Sequence, residues 1–191
     1  MHSLRPFAFA VAVAVPSLAA CTPPAAYSEP VAIELKAKSS DAASGVVSEE
    51  KGITTESGNP YGAFVNAARA ELGHDPAIIE LADASLLLGG KSTQVTALSE
   101  VFDGEVAVLF VVDDSHNTYP VAHTVIDASV PGGGPVALDL DLDPEAFTGV
   151  DRDRLLGGNF KVVLRGPAAA GFSGKGAEAV LQTTFAFEAF D

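Results

Sequence analysis

The 191-residue chain carries 25 Asp and Glu against 11 Lys and Arg, a formal net charge of −14. That length fits one domain with appendages and excludes a large multidomain enzyme, and the acidic balance argues against nucleic acid as a partner, since binding a phosphate backbone takes cations that displace counterions. A single cysteine allows no internal disulfide, no CxxC redox pair and no cysteine-built zinc site.

Residues 1–20 divide into a start with one positive charge, Arg5, an apolar run from Pro6 to Val15, and a small-residue exit, Ser17-Leu18-Ala19-Ala20, ahead of Cys21. This is the three-part layout of a secretory signal peptide. The run of about 10 apolar residues is half the roughly 20 that a membrane-spanning helix needs, and Asp, Lys or Glu interrupts every later candidate span. At Leu18-Ala19-Ala20-Cys21 the chain resembles the lipobox of bacterial lipoproteins, over its first 21 residues. The resemblance implies cleavage just before Cys21, a diacylglycerol on its thiol and acylation of the new amino group. An ordinary cleavage site near Ser17-Leu18-Ala19 with an incidental cysteine is the alternative. One acyl chain binds membranes only marginally, at ~0.8 kcal/mol per buried CH₂, whereas two or three anchor permanently. Losing residues 1–20 removes Arg5 and no acid, leaving a net charge of −15, so anionic lipid surfaces repel the body and covalent lipid has to hold it. Thr22 stands where an Asp, in enteric members of the family, favours retention in the inner membrane. The resemblance therefore implies a bacterial envelope protein anchored in the outer membrane through Cys21.

From Thr22 to about Pro60, Pro, Ala, Ser, Thr, Gly and charged residues dominate, most clearly in Ser39–Gly45 and Thr54–Gly58. This composition predicts a flexible tether over 21–60, with a root-mean-square reach of ~35 Å if it were loose throughout. Within it, Val31, Ile33, Leu35 and Ala37 alternate with Glu34, Lys36 and Lys38. That period of two predicts an edge strand over 31–38, its lysines discouraging further pairing.

The folded body is expected over 61–191. Asn59-Pro60 is a helix start and Gly73 a stop, and Tyr61, Phe64, Val65, Ala68 and Leu72 form one apolar stripe between them. Strand-like runs follow at 77–88, 104–113, 119–128, 135–142, 159–165 and 178–190. Glu105–Val112 is apolar on both faces, which predicts a central strand covered on two sides. Val136, Leu138, Leu140 and Leu142 alternate with Asp139, Asp141 and Asp143, which predicts a strand with one wet face, and Leu181, Thr183, Phe185 and Phe187 form an inward row. Together these describe a mainly β fold, an antiparallel β-sandwich of about seven strands with one N-terminal amphipathic helix. Phe supplies 11 aromatics against three Tyr and no Trp. Most of the Phe fall on inward positions, which weakens the case for an exposed platform that stacks sugars or bases.

Short motifs identify no reaction. Ser85–Ser92 (SLLLGGKS) lacks the first glycine of a phosphate-binding loop, and Gly171–Lys175 (GFSGK) ends on Lys where a hydrolase elbow needs Gly. Both read as turns. Asp139, Asp141 and Asp143 would stand about 7 Å apart on one strand face; Asp151 and Asp153 follow, and Asp113-Asp114 supplies a second loop, making a candidate Ca²⁺ site. As an EF-hand the segment fails at Pro144 and Val150, and the plainer reading is a solvated acidic face with Asp143-Pro144-Glu145 as a helix start. His116 and His123 form a loose group around Tyr119-Pro120, short of the converging ligands of a zinc or copper site and with no spacing that identifies acid–base chemistry. His74 reads as part of a helix-exit turn. The sequence thus points first to a lipid-anchored, non-catalytic interaction or structural module with an envelope protein as its partner. The second reading is a ligand- or calcium-binding lipoprotein using Asp113, Asp114, Asp139, Asp141 and Asp143, and the third an envelope hydrolase using His116.

Overall fold

Period-two burial along the chain builds two facing antiparallel sheets. The computed structural model describes residues 27–56 and 58–191; the expected signal peptide and Cys21 lie outside the described residues. In chain order the elements are β1 (Tyr27–Lys38), β2 (Val46–Ile53), α1 (Pro60–Leu72), β3 (Ile78–Leu88), β4 (Gly104–Val112), β5 (Thr118–Ile126), β6 (Val136–Ala137), β7 (Asp139–Leu140), α2 (Val150–Gly157), β8 (Phe160–Pro167) and β9 (Glu178–Phe190). One sheet has the order β1-β9-β3-β6 and the other β2-β8-β4-β5-β7. Their inner rows, such as Val31, Ile33 and Leu35 of β1, Leu181, Phe185 and Phe187 of β9, and Val106, Val108 and Phe110 of β4, are buried and make the core of a β-sandwich.

The tether expected over 21–60 is overturned for most of its length. Tyr27–Lys38 pairs with β9 in unbroken register, from Tyr27 opposite Ala189 to Lys38 opposite Glu178, and Val46–Ile53 pairs with β8. Four buried side chains in β1, with Val47 and Ile53 in β2, offset the ordering entropy that the average composition suggested could not be met. β1 is an edge strand, as its alternation predicts, and begins four residues earlier than the pattern alone indicates. β2 forms the corresponding edge of the second sheet.

Two further expectations are corrected. β4 is central, between β8 and β5, but only its inner face is covered; Ala107, Leu109 and Val111 are half-buried on the outer face. Residues 135–142 do not form one strand. The Leu138 N–H donates to the Ala84 carbonyl in the first sheet, and the Asp141 and Leu142 N–H groups donate to Val121 in the second. The chain changes sheets at Leu138, so the alternation does not carry through, and Leu140 is exposed rather than inward.

α1 is specified locally. The Asn59 side chain accepts from the Tyr61 N–H at 3.0 Å, Pro60 fills the first turn, and Gly73 ends the helix at φ +78. The buried stripe of Tyr61, Phe64, Val65 and Ala68 closes one end of the sandwich. Tyr61 packs edge-on against Phe160 of β8 and Phe187 of β9, each at 5.2 Å between ring centres, and so touches both sheets.

Two stability measurements check this packing. Gly to Ala inside a helix is ordinarily worth ~1 kcal/mol of added stability, yet a Cβ at Gly62 would stand 2.8–2.9 Å from the Thr55 backbone; Gly62→Ala is expected to lower the urea midpoint. Thr183 is fully buried, and its hydroxyl has no hydrogen-bond partner among the described residues. Thr183→Val removes that unsatisfied group and is expected to raise unfolding stability by about 1 kcal/mol.

Candidate functional site

The end of the sandwich closed by α1 also carries a surface cavity. Tyr27 and Ile79 both lie opposite Ala189, so the start of β1, the end of β9 and the start of β3 share this pole. Beside them a cavity of about 420 Å³ opens between Ala77–Glu80, the turn Asp143–Glu145 with Phe147, and Arg152, Leu155 and Leu156 of α2. Its floor is apolar, with Ile79, Phe147 and Leu155 all buried, and Ile78 stands 44% exposed at the rim. Arg152 supplies the cation of the lining. Its Nε donates to the Ala77 carbonyl at 3.0 Å and an Nη to the Pro76 carbonyl at 3.1 Å, fixing α2 to the start of β3.

A hydrogen-bond network backs this floor. Asp151, buried at the start of α2, accepts from Asn117 Nδ2 at 2.7 Å and from the Tyr119 hydroxyl at 2.6 Å. Hydrogen bonds from Asn117, Tyr119 and Ser115 hold the Asp151 carboxyl below the usual carboxylate range, and the bond to Asp151 pushes the Tyr119 phenol up. The Tyr119 ring stacks on Phe147 with centres 4.1 Å apart. The β4–β5 hairpin tip, α2 and the cavity floor are thus joined. Sequence reasoning noted Asp151 only as one acid in a run; its partners lie 32 and 34 residues away, and no local pattern announces such a contact.

The acids singled out from the sequence are dispersed. Asp114 ion-pairs with Arg154 of α2, and the Asp113 N–H donates to the Asn159 carbonyl at 3.1 Å. Asp139 lies opposite His123 on the sheet edge, Asp141 pairs with His123 Nδ1 at 2.7 Å, and Asp143 caps the turn after it by accepting from the Glu145 N–H at 3.0 Å. The two acidic segments do not meet, and among the described residues no three Asp, Glu, His or Cys side chains form a group able to hold a metal ion. His116 occupies the exposed hairpin tip with its Nδ1 3.0 Å from the Asp114 carbonyl, and His123 projects from the middle of β5; the structure does not bring the two histidines together. His74 lies in the turn after α1 and reaches Asp191 at 3.0 Å. Among the described residues no helix is long and apolar enough to cross a membrane.

No protein-family model, curated protein or solved structure matches the chain.

The His123–Asp141 pair gives a sign-defined pH test. The Asp141 carboxylate raises the His123 pKa above its ordinary 6.5, so the pair's contribution to folding is fully present below pH 6.5 and is lost as pH rises through the raised value. Asp141→Asn is expected to bring the imidazole midpoint in an NMR titration back down and to flatten this fall in stability above pH 6.5.

Proposed function

We propose that the protein is exported and anchored by lipid at Cys21 in the bacterial envelope, in the outer membrane, where its β-sandwich serves as a non-catalytic interaction module for an envelope partner. The observation that carries this reading is the ordered succession of Arg5, the Pro6–Val15 apolar run and Leu18-Ala19-Ala20-Cys21. A charge of −15 from Cys21 onward supports covalent lipid over electrostatic adsorption as the means of attachment.

The start of β1 at Tyr27 refines the picture. Five residues separate it from Cys21, and the six steps from one Cα to the next span at most about 21 Å when fully extended, shorter than the ~35 Å estimated for a loose 39-residue tether. In this reading the pole that carries Tyr27, α1 and the cavity stays close to the lipid, and the opposite pole, with the turns at Leu98–Glu100 and Phe172–Gly174, is offered to the partner.

The test is metabolic labelling with radioactive palmitate in a bacterial host, followed by fractionation. The natural chain is expected to incorporate label and sediment with membranes, and Cys21→Ala to do neither. Equal labelling of the two chains, or an unmodified Cys21 thiol by mass spectrometry, would refute the anchor.

A further inference from the structure

We infer that the cavity between β3, the Asp143–Phe147 turn and α2 binds a small amphiphilic amine, its apolar body on Ile79, Phe147 and Leu155 and its ammonium at the mouth among Glu80, Asp143 and Glu145. The inference stands on the cavity and holds whether or not Cys21 carries lipid.

Size and shape point to a small molecule. A volume of about 420 Å³ falls within the roughly 300–1,000 Å³ of small-ligand sites. β6 pairs with β3 only at Ser85 and Leu86, so Ile78–Ala84 has a strand partner on the β9 side alone. An open edge of this kind is where a peptide strand could add. The turn Pro144–Ala146, however, lies within 8 Å of β3 between Cα atoms, and a strand seated between them would need about 4.8 Å on each side. Where the turn approaches β3, the gap is too narrow for a further strand and suits a compact ligand.

Charge selects the ligand's head. The lining has three carboxylates, Glu80, Asp143 and Glu145, and one cation, Arg152. Arg152 is directed at the Pro76 and Ala77 carbonyls, and among the described residues none of the three acids is in an ion pair. The lining therefore carries two net negative charges beside apolar side chains. An ammonium on an alkyl or aryl body complements both regions, while a carboxylate on the same body meets like charge. The floor is held in place from behind, Phe147 by the Tyr119 stack and Leu155 by a hydrogen bond from the buried Tyr61 hydroxyl to its carbonyl at 2.9 Å. Little ordering is then left to oppose binding.

The experiment titrates the purified full chain with n-octylamine, octan-1-ol and octanoate, three probes alike in body and different in head, and reads binding by ligand-observed NMR and by the shift in melting midpoint. Octylamine is expected to bind and raise the midpoint, octanol to bind more weakly, and octanoate most weakly. Glu80→Gln combined with Glu145→Gln keeps both side-chain shapes and is expected to weaken octylamine about tenfold while leaving octanol unchanged. Should that variant fail to fold, high salt on the unsubstituted chain replaces it, with octylamine losing affinity and octanol keeping it. Equal affinity for all three probes, a preference for octanoate, no binding of octylamine at millimolar concentration, or octylamine binding indifferent to both the substitutions and salt would overturn the inference. Because palmitate labelling is a separate readout, failure here leaves the anchor reading untouched, and the reverse also holds.

Discussion

The buried hydroxyl of Tyr61 and the carbonyl of Leu155 it donates to organise the pole on which the cavity stands. Tyr61 is completely buried, and burial pushes its phenol far above the ordinary value, which favours the protonated, donating form. Its ring lies against Phe187 of one sheet and Phe160 of the other, which seats α1 across the open end of the sandwich. Its hydroxyl reaches α2 and so sets the position of Asp151, Arg152 and Leu155 together. A hydrogen bond of this kind contributes modest net stability, and the Leu155 carbonyl also accepts from the Gly158 N–H at 3.1 Å; through ring and hydroxyl together, one side chain touches both helices and both sheets.

What could be read from the sequence follows the range over which each pattern acts. The alternation in Val31–Ala37, the inward row of Leu181, Thr183, Phe185 and Phe187, and the helix signals at Asn59, Pro60 and Gly73 are local, and each matches the observed burial or cap. β2 was illegible because Val46–Ile53 buries only Val47 and Ile53 and otherwise reads as polar linker. The change of sheet at Leu138 was illegible because the local pattern of Leu and Asp is the same whether or not the chain crosses between layers. The cavity joins Ala77–Glu80 to residues 143–156, far along the chain, and neither periodicity nor a motif brings Ala77–Glu80 beside Asp143–Phe147. The motif ending at Cys21, by contrast, is read as sequence and asks nothing of the fold.

The acidic balance finds local outlets. Asp114 is matched by Arg154, Asp141 by His123, and Asp151 by Asn117 and Tyr119, while Asp143 is occupied with the backbone of its own turn. At the other end of the sandwich Glu100 accepts from Thr96 and Lys175, bonds that hold its carboxyl at about 2 and fasten two loops to each other. These acids are thus satisfied by donors that their own turns or neighbouring elements provide, which is compatible with the absence, among the described residues, of a group able to hold a metal ion.

Of the four edge strands, the two long ones, β1 and β2, are both charged on their outward side, with Glu34, Lys36 and Lys38 exposed on β1 and Glu50 and Lys51 exposed on β2. Should many copies be crowded into one layer, the backbone rims that would otherwise zip together carry hydrated ammonium and carboxylate groups that must be stripped of water before a ladder can form. Dense packing is thereby opposed from growing into fibrils.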